Sequence, residues 1–494
     1  MFINSREWHI AAPRPLASTP PETALTPPAS FDPLALYRAL SSGQPDLAAR
    51  EQAADFLRGE LDRLRGAPCE LPEAPRDLAL WMASLHRTVQ AKYLSYLEER
   101  KGGAPRCFFS NRAHALYFLR AVAPTKLVDG AWLYGLLPYY RNPRFSDLVR
   151  TYLEELGEGE PDKNHVLVYR RLLARYGLGS LDDLPEPLHV QGLVQLALGC
   201  NAREFLPEII GFNLGYEQLP LHLLITAYEL NELGLDPYYF TLHVTVDNSH
   251  SGHARQACQA VLDSLPRLDD GGAFWRRVRE GSKLGGVGLG TARVIAGFDI
   301  QAEVTRMLAR KSDSGCGVHS DYCRVAGRGV NDWLAMPGNV PGFLQALQQA
   351  GWIRRGESVH NSRFWKLLQG EGAEMFGVFS AYELQLIHDW IRGTDSADGL
   401  AYDAAAGVEG SVRQPGFRAA QRAARRAAAG CSAEGEPAGA PLDPDLDILQ
   451  ERLDGSDDAQ GTELLIQAMA PAQHWTPAGL YATRRFAQRR ARNS

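Results

Sequence analysis

The chain has 494 residues, of which 45% are hydrophobic and 22% charged, with a formal net charge of −6. That balance belongs to a soluble globular protein, the length suits two or three domains or one large domain with appendages, and the acidic sign argues against nucleic acid or an anionic membrane as the main partner. No run of about 20 apolar residues suggests a membrane span, no basic-then-apolar start suggests a secretory signal, and seven scattered cysteines read as free thiols, so the expected location is cytoplasmic.

Residues 1–30 form a leader rich in Pro, Ala, Ser and Thr that cannot pack a core. From Asp32 the apolar residues recur at three- and four-residue intervals, the period of an amphipathic helix. DPLALYRALSSG, LAAREQAADFLRGELDRLRG and LALWMASLHRTVQAKYLSYLEERKGG are such helices, the last closed by Gly102 and Gly103. In the next unit Pro124 interrupts the helical pattern, and Asp129 sits in an apolar surround, LVDGAWLYG. A carboxylate placed there needs a metal, a cation or backbone donors, or else caps a helix. In YLEELGEGEPDKNHVLVY a first helix ends near Gly157, Pro161 prevents a continuous helix, and the helical period resumes at NHVLVY with His165 at the start of the new turn. Glu208 and Glu217 interrupt a very apolar helical run broken at Pro207 and Pro220.

DPYYFTLHVTVDNSHSGHARQA, residues 236–257, carries the densest chemistry. His243, Asp247 and His250 fall at i, i+4 and i+7, one face of a helix expected to run on through AVLDSL. Two imidazoles and a carboxylate on one face suit a transition metal, while His253 and Asn248 are read as supporting residues. KLGGVGLGTARV is Gly-rich but has no preceding strand and no Walker lysine, and Cys316, His319 and Cys323 lack a paired fourth zinc ligand. Further packed helices fill 301–393. Residues 394–461 turn to Ala, Gly, Asp, Glu and Arg and read as low-complexity and disordered, and 462–494 form a short segment docking on the body. Strand signals are nearly absent, so the expected fold is all-α.

The motifs PTKLVDGAWL, YLEELGEGEPDKNHVLVY, FLPEIIGFNLGYE and above all DPYYFTLHVTVDNSHSGHA resemble the haem-oxygenase-like di-iron oxidases and oxygenases, the iron-containing redox enzymes. The resemblance implies a seven-helix bundle over 31–300, extended by the C-terminal helical region and low-complexity tail. It implies two Fe2+ ions held by Asp129, Glu155, His165, Glu208, His243, Asp247 and His250, with Glu155 bridging and Glu217 in reserve for Glu208. Asp129 departs from the more usual Glu. Glu154, Asn164, Asn248 and Ser249 would orient the ligands, and Tyr238, Phe240, Trp132 and Phe212 would exclude water.

Activity follows by the same analogy: use of O2 and an external electron donor or reductase to oxidise a small amine or amino-acid substrate, with N-oxygenation in natural-product biosynthesis favoured. Oxidative C–C cleavage or desaturation at the same site, a metal-free helical binding protein, and a mononuclear metal hydrolase are the alternatives. The family is often dimeric, so a homodimer is compatible with the resemblance.

Overall fold

Capping side chains set the helix starts. In the computed structural model, which describes residues 31–393 and 443–493 apart from 180, 247–251, 269–270 and 370–371, Asp32 accepts from the Leu34 and Ala35 amides and opens α1 (Pro33–Ser41). Asp46 opens α2 (Leu47–Arg63) in the same way. After α3 (Leu78–Lys101), Asn111 caps α4 (Arg112–Ala121). Pro124 then sits in the first turn of a separate short helix, α5 (Ala123–Lys126), where its missing N–H costs nothing.

The body continues through α6 (Ser146–Glu155), α7 (His165–Arg175), α8 (Val190–Cys200), α9 (Leu206–Tyr216), α10 (Leu221–Glu232), α11 (Tyr238–Val246), α12 (His253–Ser264) and α13 (Gly272–Lys283). The single helix expected from 236 to 265 is therefore two, α11 ending at Val246 and α12 starting at His253 after an extended Gly252. Among the described residues the only strands are Arg324–Val325 and Arg328–Gly329, a minimal antiparallel pair, and the fold is all-α.

Two apolar cores build the body. The first joins α1, α2, α6, α8, α9, α12 and α13 with Trp132 and Tyr152; the second joins α4, α5, α7, α10 and α11. Backbones touch where α9 crosses α13: a Cβ on Gly211 would lie 1.8 Å from the Val278 carbonyl oxygen, and one on Gly281 would lie 2.3 Å from Glu208 Cα. A third core, with Val304, Trp365 and Trp390, gathers the helices between 300 and 391. Asp389 ties it to α4 by accepting from the Ala113 amide.

The low-complexity reading of 394–461 stops short of its expected end. Asp443 caps a helix, Pro444–Asp454, that buries Leu449 in the first core. Residues 394–442, like the leader 1–30, lie outside the described residues. Two further helices, Asp458–Ala468 and Pro477–Asn493, pack on α6, where the Tyr152 hydroxyl donates to the Met469 carbonyl at 2.7 Å. No helix among the described residues is long and apolar enough to cross a membrane.

Candidate metal centre

Three segments bring the first group of ligand atoms together. Asp129 stands before Gly130, whose left-handed backbone (φ 81°) turns the chain beside Glu155. Glu155 is the last residue of α6. His165 is the first of α7, because three successive left-handed residues, Gly157, Glu158 and Gly159, reverse the chain between the two helices. A Cβ on Gly157 would meet the Asn164 amide nitrogen at 2.5 Å, so only glycine allows this tight return. Asn164 then caps α7 and fixes where His165 starts. His243 comes from α11, and its ring lies 4.2 Å from the His165 ring, centroid to centroid. Asp129, Glu155, His165 and His243 are all buried and offer ligand atoms within 4.8 Å of one another.

Neighbours orient these ligands. His243 Nδ1 lies 2.9 Å from the Tyr239 carbonyl oxygen, so Nδ1 carries a proton, and Nε2 faces Asp129 Oδ2 at 3.2 Å. The Tyr239 hydroxyl donates to the same Asp129 oxygen at 2.6 Å. His165 Nδ1 and Glu155 Oε2 approach to 2.5 Å, yet both are buried and neither finds a partner in hydrogen-bond geometry. Two donor atoms converging side by side in this way suit a shared cation better than a bond to each other.

A second group forms on the other oxygen of Glu155. His253, at the start of α12, places Nδ1 at 3.3 Å from Glu155 Oε1 and 3.0 Å from Glu217 Oε2. Its Nε2 lies 2.9 Å from Glu154 Oε2, which also accepts from Gln256, while Arg150 donates to Glu154 Oε1. Glu155, Glu217 and His253 thus make a second buried set able to hold a metal ion, with Glu155 common to both. One carboxylate facing two groups is the arrangement of a bridging ligand.

The charges support a cationic occupant. Burial pushes the Asp129 carboxyl upward, but Lys126 and His243 outweigh it and hold it below the usual range. Burial acts likewise on Glu155, where His165 and His253 prevail and hold it well below. Burial and the Asp129 charge push the Tyr239 phenol far up, so it remains a donor. Asp129 and Glu155, no more than 3% exposed, therefore stand ionised beside the equally buried Glu217, a state that a protein interior tolerates only beside positive charge.

The positions named from sequence fall into three sets. Asp129, Glu155, His165 and His243 converge. Glu208 does not: it makes a two-pronged bond to Arg277 of α13, Nε to Oε1 at 2.6 Å and Nη2 to Oε2 at 2.7 Å. Glu217 is nine residues further on, about two and a half helical turns, which puts it on the opposite side of the α9 axis and into the site. Asp247 and His250, with Asn248 and Ser249, lie outside the described residues. His253, read as a supporting residue, is instead within reach of two carboxylates. Of the expected aromatic walls, Trp132 borders the site, whereas Phe212 and Phe240 are buried in the two cores. Cys316 and Cys323 are exposed and join no metal-capable group among the described residues.

A small, partly open cleft reaches the centre, lined by Asp129, Glu155, Glu217 and His243 and by Lys126, Trp132, Tyr216 and His222. A small molecule entering it meets the carboxylates and His243 directly.

Residues 116–286 match the family model described as iron-containing redox enzyme, the family whose motifs the sequence resembles. That stretch contains Asp129, Glu155, His165, Glu217, His243 and His253. No curated protein and no solved structure matches the chain.

Proposed function

We propose that this protein is an iron-containing redox enzyme, a non-haem di-iron oxygenase that uses O2 to oxidise a small amine or amino-acid substrate, N-oxygenation being the favoured outcome. The observation that carries the two-metal reading is the Glu155 carboxylate, one oxygen directed to the Asp129–His165–His243 group and the other to Glu217 and His253. Imidazoles and carboxylates together are a donor set that iron(II) accepts. The pair of irons would supply the electrons for reducing dioxygen, replenished by an external donor.

The chain's own residues set the conditions for that chemistry. Tyr239 fixes the His243 tautomer through its carbonyl and holds Asp129 through its hydroxyl. Glu154 keeps His253 turned toward Glu217. Trp132 and Tyr216 shield the inner face of the cleft from bulk water. The N-oxygenation assignment rests on family analogy.

The test is anaerobic loading with Fe(II), then exposure to O2 with a panel of amines and amino acids. About two irons per chain, substrate-dependent O2 uptake and a product gaining oxygen mass on nitrogen are expected. Loss of a carbon fragment, or of two hydrogens, would redirect the chemistry to C–C cleavage or desaturation. Failure to bind iron would overturn the proposal.

A further inference from the structure

The cleft has a second wall that supplies none of the metal-capable side chains. Lys126, the last residue of α5, and His222, in the first turn of α10, line it beside Asp129, Glu217 and His243. Lys126 is half-buried. Its Nζ lies 5.7 Å from the Tyr216 ring centroid and 5.6 Å from that of Tyr239, and among the described residues no carboxylate comes within ion-pair distance of it. His222 is 5% exposed, and its Nδ1 is buried without a hydrogen-bond partner. Burial disfavours the charged form of this ring, so it is a neutral imidazole at pH 7. Pro220, Leu223 and Trp132 make the rest of the lining apolar.

An ammonium beside two aromatic rings and a buried imidazole nitrogen lacking a partner both leave hydrogen-bonding capacity that a ligand can take up. We propose that Lys126 and His222 form the carboxylate-binding end of this cleft, so that the substrate of the di-iron reading above is a small carboxylic acid. One carboxylate oxygen accepts from Lys126 Nζ and the acid is further held by His222, while the apolar part of the molecule lies against Trp132 and Leu223. A phosphate fits less well. One ammonium and one neutral ring match a single negative charge, and Asp129, Glu155 and Glu217 in the same cleft oppose a dianion.

The experiment takes the full chain loaded anaerobically with Fe(II), as wild type, Lys126→Met, Lys126→Arg and His222→Phe. Iron per chain is measured first. Each protein is then titrated by calorimetry with the common L-amino acids and their amides. Wild type should bind at least one acid about 10- to 100-fold more tightly than its amide, the range set by one hydrogen bond to a charged group. Lys126→Met should lose that preference with its iron content unchanged, Lys126→Arg should keep part of it, and His222→Phe should weaken it.

Three results overturn the inference: acid and amide binding alike, no amino acid binding the iron-loaded wild type, or Lys126→Met binding as wild type does. Loss of iron from Lys126→Met also overturns it, since Lys126 would then serve the metal centre. Absence of iron from wild type sinks the di-iron reading and this inference together, whereas full iron uptake without acid preference sinks the anchor alone.

Discussion

The two halves of the centre are built differently. The Asp129–His165–His243 half is fixed from outside by backbone: a left-handed reversal sets the α6–α7 return, Asn164 caps α7, and the Tyr239 carbonyl holds His243. The Glu217–His253 half depends on helix ends, the C-cap of α9 and the first residue of α12, with side chains such as Glu154 as its supports. Glu155 alone belongs to both. The second half is where metal occupancy should be most easily altered.

That contrast can be broken outright at the shared residue. Glu155→Ala should abolish both halves, taking iron uptake from about two per chain to near none. Retention of one tightly bound iron would mean that the halves are independent. His253→Ala comes next: it should remove the second half only, leaving about one iron per chain, counted by colorimetric assay after gel filtration. Tyr239→Phe removes a hydroxyl but keeps the carbonyl that orients His243. It should weaken iron affinity by about ten-fold, the low end of effects from groups that hold ligands in place, and an unchanged affinity would show that Asp129 needs no such support.

A smaller effect sharpens the contrast by marking its edge. Glu208→Gln should leave the iron count at the wild-type value and cost about 1–3 kcal/mol in urea unfolding, because it weakens the bond to Arg277 rather than a ligand.

Acid sensitivity provides a background that iron titrations must avoid. Burial pulls His114 down to about 4, although its Nε2 lies 2.9 Å from the Ile295 carbonyl oxygen. The unfolded chain, with an ordinary histidine near 6.5, binds the proton first. Stability from this group is therefore complete above about pH 6.5 and is lost as pH falls toward 4, by up to about 3 kcal/mol. Unfolding midpoints from pH 7 to 4 should fall less steeply in His114→Gln.

The legible part of this architecture was what a short window of sequence encodes. Helical periodicity and caps such as Asp32, Asp46 and Asn111 gave the elements. Glu155 and His165 were recoverable because they flank one reversal, and His243 because it lies in a dense motif. Glu208 misled because both acids on α9 are buried, and only its packing on α13 through Gly211 and Gly281 decides which one turns to the site. His253 was missed because its role depends on a break between α11 and α12, whereas periodicity argued for one helix across both. The acid-binding wall was equally hidden, since Lys126 and His222 stand 96 residues apart and meet only in the folded cleft.

The most direct test of the shared-carboxylate centre is an anaerobic Fe(II) titration of the wild-type chain followed by Mössbauer spectroscopy. Two iron environments in equal amounts, filling to about two per chain and vanishing together in Glu155→Ala, are predicted. A single environment saturating at about one iron per chain, or two irons retained without Glu155, would contradict it.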